Sequence, residues 1–324
     1  MIVLAIVIVN YKTPAMVIDC LKSCMPELAD IDSKVIVVDN CSNDGSCEEI
    51  GRWIEDQHLH AQIEVIPSTE NGGFSAGNNL GIKAVKAKYY LLLNSDTLVR
   101  KNAFKALLSA AKQDPHAGLI SPRLEWPDAS PQESCFRFHS PVSELINAAR
   151  TGIVSHLLKN FVVAHKVRAE QAHYHWTSFA CVMIKAEVFE NIGLMDEGYF
   201  MYFEDSEFCY RAAMSGWKVL NVPDAHVVHL RGGSSPVKSQ AHKRKRLPRY
   251  FYESRTRFFY QLYGRSGLLA ANILWILGTL ISQSRRLIMP HKPRDVIEKQ
   301  WRDIWVNFTN PLRSYVHPDD YDKT

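Results

Sequence analysis

Five side chains with the chemistry to act stand out in this chain of 324 residues: Asp39, Asp96, the adjacent pair Glu204 and Asp205, and His229. Asp39 ends the apolar run 34–39, and Asp96 closes Leu91-Leu92-Leu93-Asn94-Ser95-Asp96. An isolated strand-end Asp is ordinarily a turn former. Two of them on one edge of one sheet can face a ligand instead. Mg²⁺ and Mn²⁺ take oxygen ligands and share them with diphosphates, which gives Asp96 a chemical use. Glu204 and Asp205 follow the aromatic run 199–203 and open a helix. A helix dipole favours acids in its first turn. An aromatic wall also raises a carboxylate's pKa by desolvation, as a general base requires. His229 stands beside Arg231 and a Gly-Gly-Ser-Ser run at 232–235, a combination suited to a ligand next to an anion patch.

A second group is rich in glycine. Gly72-Gly73-Phe74-Ser75-Ala76-Gly77-Asn78-Asn79-Leu80-Gly81 follows a strand and opens a helix, the context of a phosphate cradle. The spacing is not GxGxxG, and Asn78-Asn79 stand where a Walker loop needs Lys-Ser/Thr, which disfavours a dehydrogenase or a P-loop ATPase. Packing against a strand is the competing role for these glycines.

The elements that must position these residues can be read from hydrophobic pattern. Residues 2–9 form a near-continuous apolar run, as in a strand covered on both faces. Thr13-Pro14 marks a helix start, with Thr as the cap. Further strands are expected at 34–39, 63–66 and 89–93, with helices between them. This alternation predicts a mostly parallel sheet covered by helices. Ligands of such sheets bind beyond the carboxyl ends of the strands. Here those ends carry Asn10-Tyr11, Asp39-Asn40, Asn71-Gly72-Gly73 and Asn94-Ser95-Asp96. From 115 to about 173 the pattern weakens, and loops are expected. Strands return at 176–184 and 216–220, with helices from about Ala186 and from Glu204.

Composition excludes other classes. At 46% hydrophobic residues the chain is neither a disordered regulator nor a small disulfide scaffold. Its seven cysteines show no CxxC pair, and Cys20 and Cys24, four apart, read as buried thiols of a protein from a reducing cytosol. The opening residues lack the basic start and cleavage site of a secretory signal and read as a strand. The net charge of +4 is unevenly spread. Residues 231–294 hold 14 Lys/Arg and one acid, Glu253, leaving the remainder at −9.

Six stretches in order resemble glycosyltransferase family 2, the inverting GT-A enzymes: Val7–Tyr11, Val37–Ser46, Asn71–Asn78, Leu93–Asp96, Phe200–Asp205 with Arg211, and His229–Ser234. They cover roughly residues 2–260 and are most similar to the rhamnosyltransferase-like branch that builds O-antigen and other bacterial surface polysaccharides. The resemblance implies a Rossmann-like GT-A domain over 1–240, with a nucleotide-sugar half at about 1–100 and an acceptor half at 101–240. A basic, helical, membrane-associating extension would occupy 241–324. It also implies an inverting transfer of a sugar, of the rhamnose class, from a nucleotide-diphosphate sugar to a polyprenyl-diphosphate-linked glycan at the cytoplasmic leaflet. Asn10, Tyr11 and Asp39 would hold base and ribose, with Asn71, Gly72, Gly73 and Asn78 bordering the nucleotide. Asn94, Ser95 and Asp96 match the DxD-type motif, Asn94 replacing its first acid and so leaving one fewer anionic ligand for Mg²⁺ or Mn²⁺. His229 would add a metal contact and Arg231 a diphosphate contact. Asp205 would be the base, and Glu204 would support it or bind the acceptor.

The basic run 242–249 and the aromatics behind it could be read as a nucleic-acid patch. Against that stands the uncharged stretch 266–284, whose apolar part, 268–281, is shorter than the ~20 residues that span a bilayer. A helix lying in the membrane plane with a basic collar is expected, placing a cytoplasmic protein peripherally on the inner leaflet without nucleic acid. Internal packing or a homodimer interface is the competing role. A non-catalytic protein binding a nucleotide sugar or nucleic acid on the same sheet is the alternative function. A pure binder has no need of the Glu204–Asp205 pair. A nucleotidyltransferase would want a glycine-rich loop after the first strand, where Asn10-Tyr11-Lys12-Thr13 stands.

Overall fold

The computed structural model describes residues 1–231, 237–288 and 297–323. Its strands are β1 (Ile2–Asn10), β2 (Ser33–Asp39), β3 (Ile63–Pro67), β4 (Ala87–Asn94), β5 (Thr97–Val99), β6 (Ala117–Glu125), β7 (Cys135–Phe136), β8 (Ala172–Tyr174), β9 (Trp176–Thr177), β10 (Cys181–Lys185) and β11 (Lys218–His229). Nine of them form one sheet ordered β3-β2-β1-β4-β10-β6-β11-β5, with β8 also on β11. β3, β2, β1 and β4 are parallel neighbours, and β6 is parallel to β11. β10 enters antiparallel between β4 and β6. This is the α/β, mostly parallel sheet expected from the alternation.

The principal helices are α1 (Pro14–Cys24), α2 (Ser46–Asp56), α3 (Gly73–Ala84), α4 (Ala103–Gln113), α5 (Pro141–Ala149), α6 (Gly152–Leu157), α7 (Ala186–Ile192), α8 (Glu204–Met214), α9 (Val237–His242) and α10 (Arg249–Ile288). The chain divides into two compact units. The first, Met1–Phe136, Lys166–Glu197 and Phe208–Ser234, holds the nine-stranded sheet. Its core joins Ile6 and Ile8 of β1, Val35 and Val37 of β2 and Leu91 and Leu93 of β4 to Leu21 and Phe104 of the helices. The second, Arg137–His165, Gly198–Glu207 and Ser235–Thr324, takes in the C-terminal extension together with two segments from the middle of the chain.

Several local expectations change. Thr13 stands at the cap position of α1, but its hydroxyl donates to Asn10 Oδ1 instead of capping the helix. The stretch read as loops from 115 onward holds β6, buried along almost its whole length, as well as α5 and α6. Pro122 inside that strand disguised it, because proline usually marks a strand edge or a bulge. The strand expected over 176–184 is two pieces: β9 pairs with β7 in a separate ribbon, and β10 joins the main sheet. The strand at 216–220 continues to His229, with a register irregularity between Val222 and His226 that accommodates Pro223.

The α3 glycines are packing residues. A Cβ on Gly81 would collide with Val7, and one on Gly77 would lie 3.0 Å from Val9 Cγ1, so helix and strand approach only because both lack side chains. All seven cysteines are free, and Cys20 and Cys24 are buried.

Candidate functional site

The first unit collects polar side chains at the carboxyl ends of β1, β2, β4 and β11. Asp96 lies just beyond β4, and Leu230 N donates to its carbonyl at 2.9 Å. That bond brings the end of β11 to the end of β4 and places His229 Nε2 3.5 Å from Asp96 Oδ1. Both residues are only 8% exposed. The separation exceeds the ~2.7–3.2 Å of an N–H···O hydrogen bond, so the two donors are near without being closed on each other. His229 Nδ1 is buried and has no hydrogen-bond partner among the described residues. The nitrogen that faces the Asp96 carboxylate is the other one, Nε2.

Gln132 fixes the geometry behind this pair. Its Nε2 donates to His229 O at 2.7 Å, and its Oε1 accepts from Arg231 Nε. Arg231 is half-buried, has φ 58°, and lies 5.1 Å from the Trp126 ring centroid. Desolvation lowers its pKa, opposed by the charges of Glu133 and Asp96. The Gly-Gly-Ser-Ser run at 232–235, read as an anion patch, lies outside the described residues. Gln132 itself carried no sequence signal, because it sits in the stretch that reads as loop.

Asn10 and Asp39 form a closed network. Asn10 Nδ2 donates to Asp39 Oδ1 at 2.6 Å, and Asp39 also accepts from Ser42 N and Ser42 Oγ. Asn10 Oδ1 accepts from Thr13, whose hydroxyl lies 3.3 Å from Ser95 Oγ. These residues are bonded to one another and hold the β2 turn, where Cys41 and Asn43 have φ of 59° and 51°. Tyr11 is half-buried beside them. Asn71 Oδ1 accepts from Asn40 Nδ2 and from Gly73 N, shaping the start of α3 together with Gly72. Asn94 ends β4, and its carbonyl accepts from Thr97. Asn78 stands apart: it is buried, and its Nδ2 donates to Phe74 O within its own helix.

The acid pair belongs to the second unit. Tyr202 and Phe203 have φ of 73° and 68°, a left-handed step immediately before Glu204 starts α8. Two consecutive non-glycine residues in that region cost about 1–3 kcal/mol each, and such strain concentrates at functional sites. Glu204 is 7% exposed, and its Oε2 has no hydrogen-bond partner among the described residues. Burial pushes its carboxyl well above the usual carboxylate range, and the charge of Asp205 adds to the shift. Asp205 is half-buried and accepts from Ser206 N at 2.8 Å. The desolvation expected of the pair therefore falls on Glu204. The aromatic wall is also larger than the run 199–203: Phe203 lies within 5.3–5.7 Å of the His139, Phe251 and Phe258 rings. Of the α10 aromatics, Tyr250, Tyr252, Phe258 and Phe259 are buried in this core, which leaves Phe251 and Tyr260 half-buried.

A divalent cation would find Asp96 and His229 as an oxygen and a nitrogen donor. Among the described residues no cluster of three or more His, Cys, Asp or Glu side chains comes together. Two protein donors fit Mg²⁺ or Mn²⁺ held jointly with substrate phosphates and water, the usual arrangement for Mg²⁺ in sites that hold phosphates.

Comparison with known proteins agrees with this geometry. The chain is 30% identical over 229 residues to the low-salt glycan biosynthesis hexosyltransferase Agl10 of Haloferax volcanii, a match covering 69% of this chain and 65% of that protein, just under two thirds of its length. It is 26% identical over 217 residues to the N-acetylglucosaminyl-diphospho-decaprenol L-rhamnosyltransferase of Mycobacterium tuberculosis, covering 62% of this chain and 67% of that one. Among solved structures, GalNAc-T7 with UDP, GalNAc and Mn²⁺ superposes with a TM-score of 0.55 at 16% identity, over 96% of this chain and 59% of that one. The mannosyltransferase PcManGT of Pyrobaculum calidifontis, in complex with GDP-Man and Mn²⁺, gives 0.51 at 14%, over 95% and 85%. These likenesses show the GT-A-like α/β fold. Residues 3–249, most of both the sheet and the strand-end cluster just described, match a single family, and the chain belongs to it: glycosyltransferase like family 2.

Proposed function

We propose that the protein is an inverting glycosyltransferase that moves a hexose of the rhamnose class from a nucleotide-diphosphate sugar to a hydroxyl of a lipid-linked glycan in cell-surface polysaccharide synthesis. The observation that carries this reading is the approach of His229 to Asp96 at the strand ends, with Arg231 beside them. Family membership and the names of the rhamnosyl and hexosyl relatives support it.

Inversion needs a single displacement. The acceptor oxygen bonds to the anomeric carbon while the bond from that carbon to the diphosphate oxygen breaks, and the hydroxyl proton passes to a carboxylate. Asp205 is the proposed base, because it is the half-exposed member of the pair. Glu204 is proposed to hold its position beside it and to bind the acceptor. Asp96 and His229 would hold Mg²⁺ or Mn²⁺, which when bound offsets the negative charge of the departing diphosphate. The Asn10–Asp39–Ser42 network holds the turn against which the nucleoside is proposed to lie. Thermal-shift screening of a nucleotide-sugar panel with and without Mn²⁺, followed by transfer to a polyprenyl-diphosphate glycan, tests the reading. A protein that binds none of the donors would be a non-catalytic member of the family.

We place the protein peripherally on the cytoplasmic face of the membrane; the C-terminal helix supports the membrane-surface part of that reading. The segment Arg249–Arg285 is long and apolar enough to cross a membrane by length and composition. α10 is broken at Gly264, where φ is 67° and ψ −171°. Beyond the break, Leu268, Ala271, Asn272, Trp275 and Gly278 are buried within the second unit, while Leu269, Ile273, Leu277 and Leu280 are 40–57% exposed. One face thus packs internally and the other offers an apolar stripe between Arg265 and Arg285, the pattern of a helix lying in an interface.

A further inference from the structure

α6 is a formed helix that buries none of its six residues. Thr151 caps it, the hydroxyl accepting from Ile153 N at 3.3 Å. Its apolar side chains nevertheless face outward: Ile153 is 74% and Leu157 75% exposed. Four residues apart, they share one helical face. Phe161, exposed as well, follows in the 3₁₀ turn Lys159–Phe161. Most helical stability comes from packing an apolar face, and within this chain α6 packs none of its own. Adjoining aliphatic side chains left open to water mark a contact surface.

Charge says what that surface meets. Between Glu144 and Glu170 the sequence has no acid and four basic residues, of which Arg150 and Lys159 flank α6 and are exposed. From Ser254 to the end of α10 at Ile288 there is again no acid. An anionic leaflet attracts each such Lys or Arg. A second copy docked face to face would set Arg150 and Lys159 against like charge. Within the second unit, α6 begins where α10 ends. Arg285 Nη1 donates to Arg150 O at 3.0 Å, and Gly278 approaches the α5 backbone at Leu145 and Ala149 too closely for any side chain. The outer stripe of α10 and the open face of α6 are therefore neighbouring parts of one unit. A single weak membrane contact is reversible, and stable anchoring takes two.

We propose that α6 is a second membrane contact, with Ile153 and Leu157 entering an anionic lipid surface and Arg150 and Lys159 meeting its headgroups. The inference rests on the membrane-surface reading of α10 and adds to it, since two or three side chains are too few to hold the chain alone. Hydrogen exchange on the full chain, with vesicles of phosphatidylcholine and phosphatidylglycerol, should slow at the amides of 152–158. In co-sedimentation the double variant Ile153→Asp/Leu157→Asp should partition onto these vesicles about 10-fold less, the worth of two buried aliphatic side chains or below it. Lys159→Gln should lose about 5-fold on the same vesicles and nothing on phosphatidylcholine alone. All three positions are exposed, so melting temperature and nucleotide binding should match the parent. Parent-like vesicle binding by the double variant, with 152–158 exchanging as in the free protein, would overturn the proposal and leave the α10 contact standing. A parent that binds no vesicle removes the membrane reading and the proposal together. Protection of 152–158 that rises with protein concentration in the absence of lipid assigns the face to a second copy and overturns the proposal as well.

Discussion

His229 Nε2 lies 3.5 Å from Asp96 Oδ1, joining the end of the twelve-residue β11 to the turn after β4. The contact is made by backbone as much as by side chains, because Leu230 N is bonded to Asp96 O and Gln132 holds the His229 carbonyl. Two donors are thereby fixed on elements that share one sheet. A charged ligand could be met here without reorganising either side chain.

Asp96→Asn and His229→Gln should each remove the response of nucleoside diphosphate affinity to Mn²⁺ and leave the fold intact. Titration calorimetry with and without Mn²⁺ reads this directly. Parent-like Mn²⁺ dependence in both variants would remove the pair from the site.

Asp205→Asn should lower kcat for transfer by about 10²–10⁴-fold, the ordinary worth of general-base assistance, with donor affinity retained. Glu204→Gln should act less severely on kcat and more on acceptor KM. If Glu204→Gln is the more damaging change, the roles of the two acids are reversed.

The raised pKa of Glu204 has a sign for stability. In the folded chain its carboxyl holds its proton above the ordinary value of 4.5, whereas the unfolded chain releases it there. Glu204 therefore contributes stability below pH 4.5 that is lost as pH rises through the folded value. Glu204→Gln, always neutral, should melt progressively higher than the parent as pH increases from 4.5 toward 8. Parallel melting curves for the two proteins across that range would refute the burial effect.

Substituting Ile273 and Leu277 by Glu should abolish co-sedimentation with anionic vesicles and leave nucleotide binding unchanged, since both are exposed at 45% on the outer stripe of α10. Burial of Ile273 and Leu277 in a homodimer instead would appear as dissociation on sizing, with vesicle binding unaffected.

Local pattern carried much of the fold because alternation and apolar runs are short-range properties. Residues 2–9, 34–39 and 89–93 are continuous enough to read as covered strands, and 63–66, with Glu64 exposed, is the half-exposed edge strand beside them. β6 escaped notice because Pro122 and the polar Ser121 and Arg123 interrupt its pattern, and only its neighbours β10 and β11 compel it to be a strand. Site residues were legible as types at strand ends, and their partners were not. Nothing in the order of residues says that Asn10 and Asp39 spend their polar atoms on each other and Ser42, or that Asn78 turns back into its own helix.

The sequence alone determined which acids and imidazoles stand at the ends of apolar strands and at the start of α8, and that the basic charge gathers beyond residue 231. Tertiary structure decided which of them are desolvated. Glu204 loses water and Asp205 keeps some of it, Tyr250, Phe258 and Phe259 of α10 become core, and the Tyr252 hydroxyl has no partner among the described residues. Burial is a property of everything packed around a side chain, and those neighbours come from distant parts of the chain.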